Sequence, residues 1–245
     1  MSAVAEPKAT LVAGADGCRR GWVVVLARAD TAQFQGAEMV PAFDAVLEMV
    51  SRCSAVAVDV PIGLSDDLAR GGRDVDRHAR SLLKDRMSSV VAAPPRPVLG
   101  AKSYEEALEL ARKHSSEGIG LSRQSFSLLK RMAEVDAVIT PALQDWVVEV
   151  HPELSFRALN GEVPLPRSKR SAQGMVARIR LLETAGFGQV IEQAAALAGK
   201  SASLDNVLDA CAAAWTAGRI ARGEAVRIPS KPPLDRRGLR MEMWW

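Results

Sequence analysis

Five carboxylates in this chain sit where a carboxylate is costly. Asp16 ends the apolar run TLVAGAD (10–16), Asp59 interrupts AVAVDV, and Glu149 interrupts WVVEV. Asp205 and Asp209 lie four residues apart in SLDNVLDACAAAW. A buried, unpaired carboxylate costs on the order of several kcal/mol or takes up a proton instead. Several such acids in separate segments point to one shared compensating cation. Oxygen ligands of this kind suit Mg²⁺ or Mn²⁺ and not zinc. Two such ions roughly 3.5–4 Å apart can clamp a phosphodiester, one activating water and the other steadying the leaving oxygen.

Each acid also has a local reading, and these stay open at the level of sequence. Asp16 can serve its Asp-Gly turn. Asp59 precedes Val60-Pro61 and can cap a loop. Glu149 can pair with an arginine such as Arg178 or Arg180. Asp205 can be a helix N-cap, a role for which Ser203 competes. Asp209 can be a solvated helix residue.

The elements that must position these acids read as α/β. TLVAGAD (10–16) and WVVVLAR (22–28) form a hairpin around DGCRRG, and AQFQGAEMV (32–40) adds a third strand. FDAVLEMVSR (43–52) has helical spacing, and SAVAVDVPIGL (54–64) reads as a buried strand. Residues 65–145 are mostly polar helix and loop and read as a helical insertion. WVVEVHPEL (146–154) returns as a strand, with Glu149 and His151 on one face. Helices follow over 169–186 and 203–223. The second of these predicts a core stripe of Leu204, Leu208, Cys211 and Trp215, with Asp205 and Asp209 at its edge. A short strand over 222–229 and a partly ordered tail, 231–245, complete the chain. Residues 1–230 are thus expected to form one domain.

Composition excludes several classes. The 245 residues carry a net charge of +3, which by itself does not mark a nucleic-acid binder. Cys18, Cys53 and Cys211 form no disulfide framework, and His78, His114 and His151 are too scattered for a zinc site. No signal peptide and no membrane span is read in the chain, so a cytoplasmic location is expected.

The matching stretches GADGCRRGWVVV, AVDVPIGL, RDVDRHAR, SSVVAAPPRPVL, GLSRQSF with AEVD, VVEVHPELSF, SKRSAQGMVARIRLL and DNVLDACAAAWTA follow in order over about residues 11–223. Together they resemble the domain-of-unknown-function 429 family of predicted ribonuclease H-like nucleases. The resemblance departs at SSVVAAP, where an aromatic is expected after SSV. It implies a ribonuclease H-like mixed five-stranded sheet flanked by helices. It also implies Asp16, Asp59, Glu149 and Asp209 as the catalytic metal-site residues, with Asp205 next. The expected activity is metal-dependent phosphodiester hydrolysis with Mg²⁺ or Mn²⁺ and a nucleic-acid substrate. The rival readings are an actin- or sugar-kinase-like phosphotransferase and a non-catalytic binding protein that keeps the fold.

Further candidates lie around the acids. Arg19 and Arg20, in the turn after Asp16, and Arg96, in its proline loop, are candidate substrate-phosphate ligands. Lys169, Arg170, Arg178 and Arg180, with Lys231, Arg236, Arg237 and Arg240 in the tail, are candidate backbone-phosphate contacts or simply solvated cations. His151 is a proton shuttle or a loop cap, and Glu153 a supporting acid. One Tyr and five Phe give little for base stacking. AAALAGKS (194–201) mimics a Walker A loop, but its setting reads as the end of a helix.

Overall fold

The computed structural model describes residues 10–188, 192, 196, 197 and 202–245. The Walker A look-alike lies largely outside them.

The first three strands form the expected meander. β1 (Leu11–Cys18) and β2 (Gly21–Arg28) pair antiparallel around the two-residue turn Arg19-Arg20, and β3 (Phe34–Val40) pairs antiparallel with β2. After α1 (Phe43–Met49) the chain re-enters as β4 (Cys53–Asp59), parallel to β1. The insertion brings α2 (Asp74–Leu83), α3 (Tyr104–Lys113) and α4 (Arg123–Val138), and then β5 (Val147–Glu149) pairs parallel with β4. The five-stranded mixed sheet therefore runs β3-β2-β1-β4-β5. Among the described residues, no helix is long and apolar enough to cross a membrane.

The strand expected over 146–154 ends after Glu149. Pro152 opens α5 (Pro152–Leu159), where its missing N–H costs nothing, and His151 caps the helix by accepting from the Glu153 N–H at 3.2 Å. α6 (Ala172–Thr184) and α7 (Leu204–Ala221) follow. Ser203 is the N-cap of α7 and bonds Asn206, which leaves Asp205 free of that role.

Alternating side chains divide the core into two layers, one on each face of the sheet. Val12, Val23 and Val25 pack against α6 and α7, whereas Ala13, Ala15, Trp22 and Val24 pack against α1 and α4. α7 is more deeply buried than a single-stripe helix. Ala210, Cys211, Ala212, Ala213, Ala214 and Ala217 are all inaccessible, while Leu204 and Trp215 lie at the edge. The helix is covered by the sheet on one side and by α5 and α6 on the other, and the Ser155–Thr216 hydrogen bond of 2.8 Å joins α5 to it.

Its alanine run permits this, and so does Gly14. A Cβ at Gly14 would stand 2.1 Å from the Ala210 carbonyl oxygen, so only glycine lets the α7 backbone lie on β1.

The tail departs from expectation. β6 (Arg227–Ile228) and β7 (Met243–Trp244) pair antiparallel, and Trp244 bridges in parallel to Val150 beside β5. Leu239, Glu242, Met243 and Trp245 are buried. Burial of three large apolar side chains, each contributing about 1.5–3 kcal/mol, holds this segment in place.

Candidate functional site

β1 and β4 end side by side, and their register sets Asp16 directly opposite Asp59. The approach of α7 to β1 then carries Asp209 to the same place. Asp16 and Asp209 are buried, and Asp59 is half-buried. Asn206, one turn before Asp209, donates from Nδ2 to Asp16 Oδ2 at 2.7 Å. Its own Oδ1 accepts from the Ser203 hydroxyl at 2.6 Å, which fixes which end of the amide faces Asp16.

The electrostatics follow from this crowding. Burial raises the Asp16 carboxyl well above its ordinary value, and the charges of Asp59 and Asp209 raise it further. Burial likewise raises Asp59 and pushes Asp209 up to about 6, in both cases against the pull of Lys169.

Lys169 is the cation of the cluster. Its Nζ contacts Asp209 and lies 3.8 Å from Asp205. The charges of Asp209, Asp59 and Asp16 hold it protonated despite burial. Gly174 makes this reach possible. A Cβ there would meet the Ser168 carbonyl oxygen at 2.0 Å, so glycine lets the segment carrying Lys169 lie against α6. Sequence reasoning missed Lys169 and Asn206 as members of this group. The available signal was Asn206 three residues before Asp209, on the same helix face.

Glu149 lines the same cavity but has its own cation. Arg73 donates to its two oxygens at 2.6 and 2.9 Å, and the Ile62 N–H donates at 2.6 Å. Arg73, rather than Arg178 or Arg180, is therefore its partner. Burial pushes Glu149 up to about 7 while Arg73 pulls it down. With every neighbour donating, the carboxylate is the form these bonds fit. Arg73 also bonds Asp76 at 2.7 Å and the carbonyls of Ile62 and Gly63 at 2.9 Å, tying α2 to the loop after β4.

Glu153 is similarly taken up. Arg178 donates to both its oxygens at 2.7 Å, and Arg86 lies 3.4 Å away. The His151 ring is engaged at both nitrogens, by the Glu153 N–H and by the Ser89 carbonyl at 3.2 Å, so it serves as a helix cap. Asp205 is only partly buried and borders the cluster through Lys169.

Of the phosphate candidates, Arg96 bonds Asp136 at 3.1 Å and also pairs with Asp235, joining α4 to the tail. It stands away from the acids. Arg19 and Arg20 are exposed in the β1–β2 turn and do not line the cavity over the acids.

That cavity is about 500 Å³. Asp16, Asp59 and Asp209 line it together with Ser88, Ser89, Val90, Val91, Gln124, Leu128 and Arg131 of the insertion. The donor set facing it suits a hard divalent cation in kind: all-oxygen, with three carboxylates and one ammonium against them. In spacing it is held by Lys169. Among the described residues, no group of three or more His, Cys, Asp and Glu side chains stands ready to hold a metal ion as it lies.

No curated protein and no solved structure matches the chain. A family model does match, over residues 14–234, and this span takes in β2 to β6, most of β1, the insertion, and Asp16, Asp59, Glu149, Glu153, Asp205 and Asp209. The chain belongs to the family described as Protein of unknown function (DUF429).

Proposed function

We propose that this protein is a divalent-metal-dependent phosphodiester hydrolase built on a ribonuclease H-like sheet. The observation that carries the reading is the meeting of Asp16, Asp59 and Asp209, from β1, β4 and α7, in one cavity with Lys169 as their cation. The strand order β3-β2-β1-β4-β5, with acids at the adjacent ends of β1 and β4, supports the fold assignment. Three free cysteines support a cytoplasmic setting.

Asp16, Asp59 and Asp209 would hold Mg²⁺ or Mn²⁺. When bound, such an ion supplies water activation and neutralises phosphate charge. The chain's own part is positioning. Asn206 fixes the Asp16 carboxyl. Lys169 offsets the surplus negative charge in the ion's absence. Arg73, through Glu149 and the Ile62 and Gly63 carbonyls, sets the shape of the loop that follows Asp59. Glu149 thereby shapes the site through Arg73.

The test pairs a melting curve with a cleavage panel. Mn²⁺ at 100 times its Kd should stabilise the protein by about 2.7 kcal/mol. Wild-type protein with Mn²⁺ should cleave a phosphodiester in RNA, DNA or a dinucleotide, and Asp59→Asn should abolish cleavage with the fold retained. No shift in Tm at millimolar Mn²⁺ together with no cleavage would overturn the reading.

A further inference from the structure

The cations that the sequence offers for a long polyanion are mostly taken up by the protein's own acids. Arg178 is inaccessible and bound to Glu153. In the tail, Arg236 pairs with Asp66, Arg237 with Asp136, and Arg240 with Asp145 and Glu242. Binding along a duplex needs a row of cations free to neutralise successive phosphates. What lines the cavity instead is a small set: Arg86, Arg131, Lys169 and Arg170. Arg86 lines the cavity with its guanidinium 3.4 Å from Glu153.

The size and closure of the cavity agree with this. A volume of about 500 Å³ falls within the roughly 300–1,000 Å³ typical of small-molecule sites. Its apolar lining, which includes Pro61, Val90, Val91, Leu128 and Met243, offers a surface for a base or sugar. The insertion segment that lines the cavity beside the acids forms a wall fastened at several points. Arg80 donates to the Val90 carbonyl at 3.0 and 2.8 Å, the Ser89 carbonyl contacts the His151 ring at 3.2 Å, and the Ala93 N–H donates to Asp76 at 3.1 Å. A duplex laid across the acids would meet this wall.

We infer that the site takes one nucleotide-sized phosphate ester, either free or at the end of a single strand, with Arg86 and Arg170 on the phosphate side and the Val90–Val91–Leu128 surface against the base. This rests on the proposed hydrolase reading for the role of the acids. It goes beyond that reading in excluding duplex interiors as substrate.

The experiment has a binding arm and a cleavage arm. In the first, adenosine 5′-monophosphate, a dinucleotide and a blunt 20-base-pair DNA duplex are titrated into the full-length protein with Ca²⁺ by calorimetry. The first two should bind at the cavity. Val91→Trp, which fills it, should weaken them at least tenfold while divalent metal still raises the variant's Tm. The monophosphate and dinucleotide arms distinguish a free nucleotide from a strand end. In the second arm, Mn²⁺ is added to a linear single strand, the same strand closed into a circle, and the duplex. The linear strand alone should be shortened, from its end.

Failure of both the monophosphate and the dinucleotide to bind overturns the inference, as does cutting of the circle or of the duplex interior; the last two outcomes leave the hydrolase reading standing. Nucleotide binding that Val91→Trp weakens, with no cleavage of any strand, upholds the inference and removes the hydrolase reading.

Discussion

Asp16 and Asp59 face each other across the parallel β1–β4 pair, at one register position. That arrangement stores like charge at the end of the sheet, with Asp209 adding to it. The folded protein therefore binds protons that the unfolded chain releases. Between the ordinary carboxyl value of 3.8 and the raised folded values, about 6 for Asp209, the unfolded state binds fewer protons. Stability contributed by Asp209 is thus present below about pH 4 and is lost as pH rises through about 6, and Asp16 and Asp59 act in the same direction. In metal-free protein, Asp16→Asn removes one of the charges and keeps an acceptor for Asn206. It should raise stability at pH 7 and flatten the fall of stability above about pH 4. Calorimetric melts in chelator check this; parallel wild-type and variant curves would contradict it.

Lys169 holds the place of positive charge beside Asp209. Its removal should act in opposite directions with and without metal. Lys169→Met should lower the Tm of the metal-free protein, because Asp209 loses its partner. It should also reduce the Mn²⁺ concentration for half-maximal stabilisation at least tenfold, about 1.4 kcal/mol. A Mn²⁺ titration followed by thermal melting reads both; an unchanged or raised half-point would show that the lysine does not compete with the ion.

Gly14 sets the distance between α7 and β1. The Cβ of Gly14→Ala would lie 2.1 Å from both the Ala210 oxygen and the Ala214 nitrogen, so the helix must shift. Overpacking of this kind costs about 1–3 kcal/mol or more. The variant should lose stability in urea. If it remains folded, it should also lose its response to Mn²⁺, since Asp209 moves with the helix. Wild-type stability would show that the helix packs less tightly than described.

Arg73 bonds Glu149, Asp76 and two loop carbonyls at once. Arg73→Met leaves two buried carboxylates without their cation, each held only by backbone N–H groups, and should cost about 3–5 kcal/mol, read by urea denaturation. Glu149→Gln keeps the shape and should cost less. If Glu149 shapes the loop and does not hold metal, Glu149→Gln should keep the wild-type Mn²⁺ half-point; a loss of Mn²⁺ stabilisation equal to that of Asp59→Asn would reassign it as a ligand.

Much of this protein was legible in its residues. Apolar runs and turn signals marked the meander, α1, β4 and the late helices, because side-chain periodicity is imposed locally by strand and helix geometry. Acids embedded in apolar segments marked the site, because desolvating a carboxylate demands compensation wherever it occurs. Pro152 marked the end of β5, a signal the strand reading of 146–154 passed over.

Tertiary structure decided which compensation each acid received. Glu149 went to Arg73, 76 residues earlier in the chain, and Glu153 to Arg178. Asp209 went to Lys169, and Asp16 and Asp59 were left facing each other. It likewise turned an apparently loose tail into a buried edge, through Leu239, Met243 and Trp245. Local pattern fixes the direction of a side chain relative to its own element. The choice of partner depends on which elements approach, and that is set by packing over the whole core.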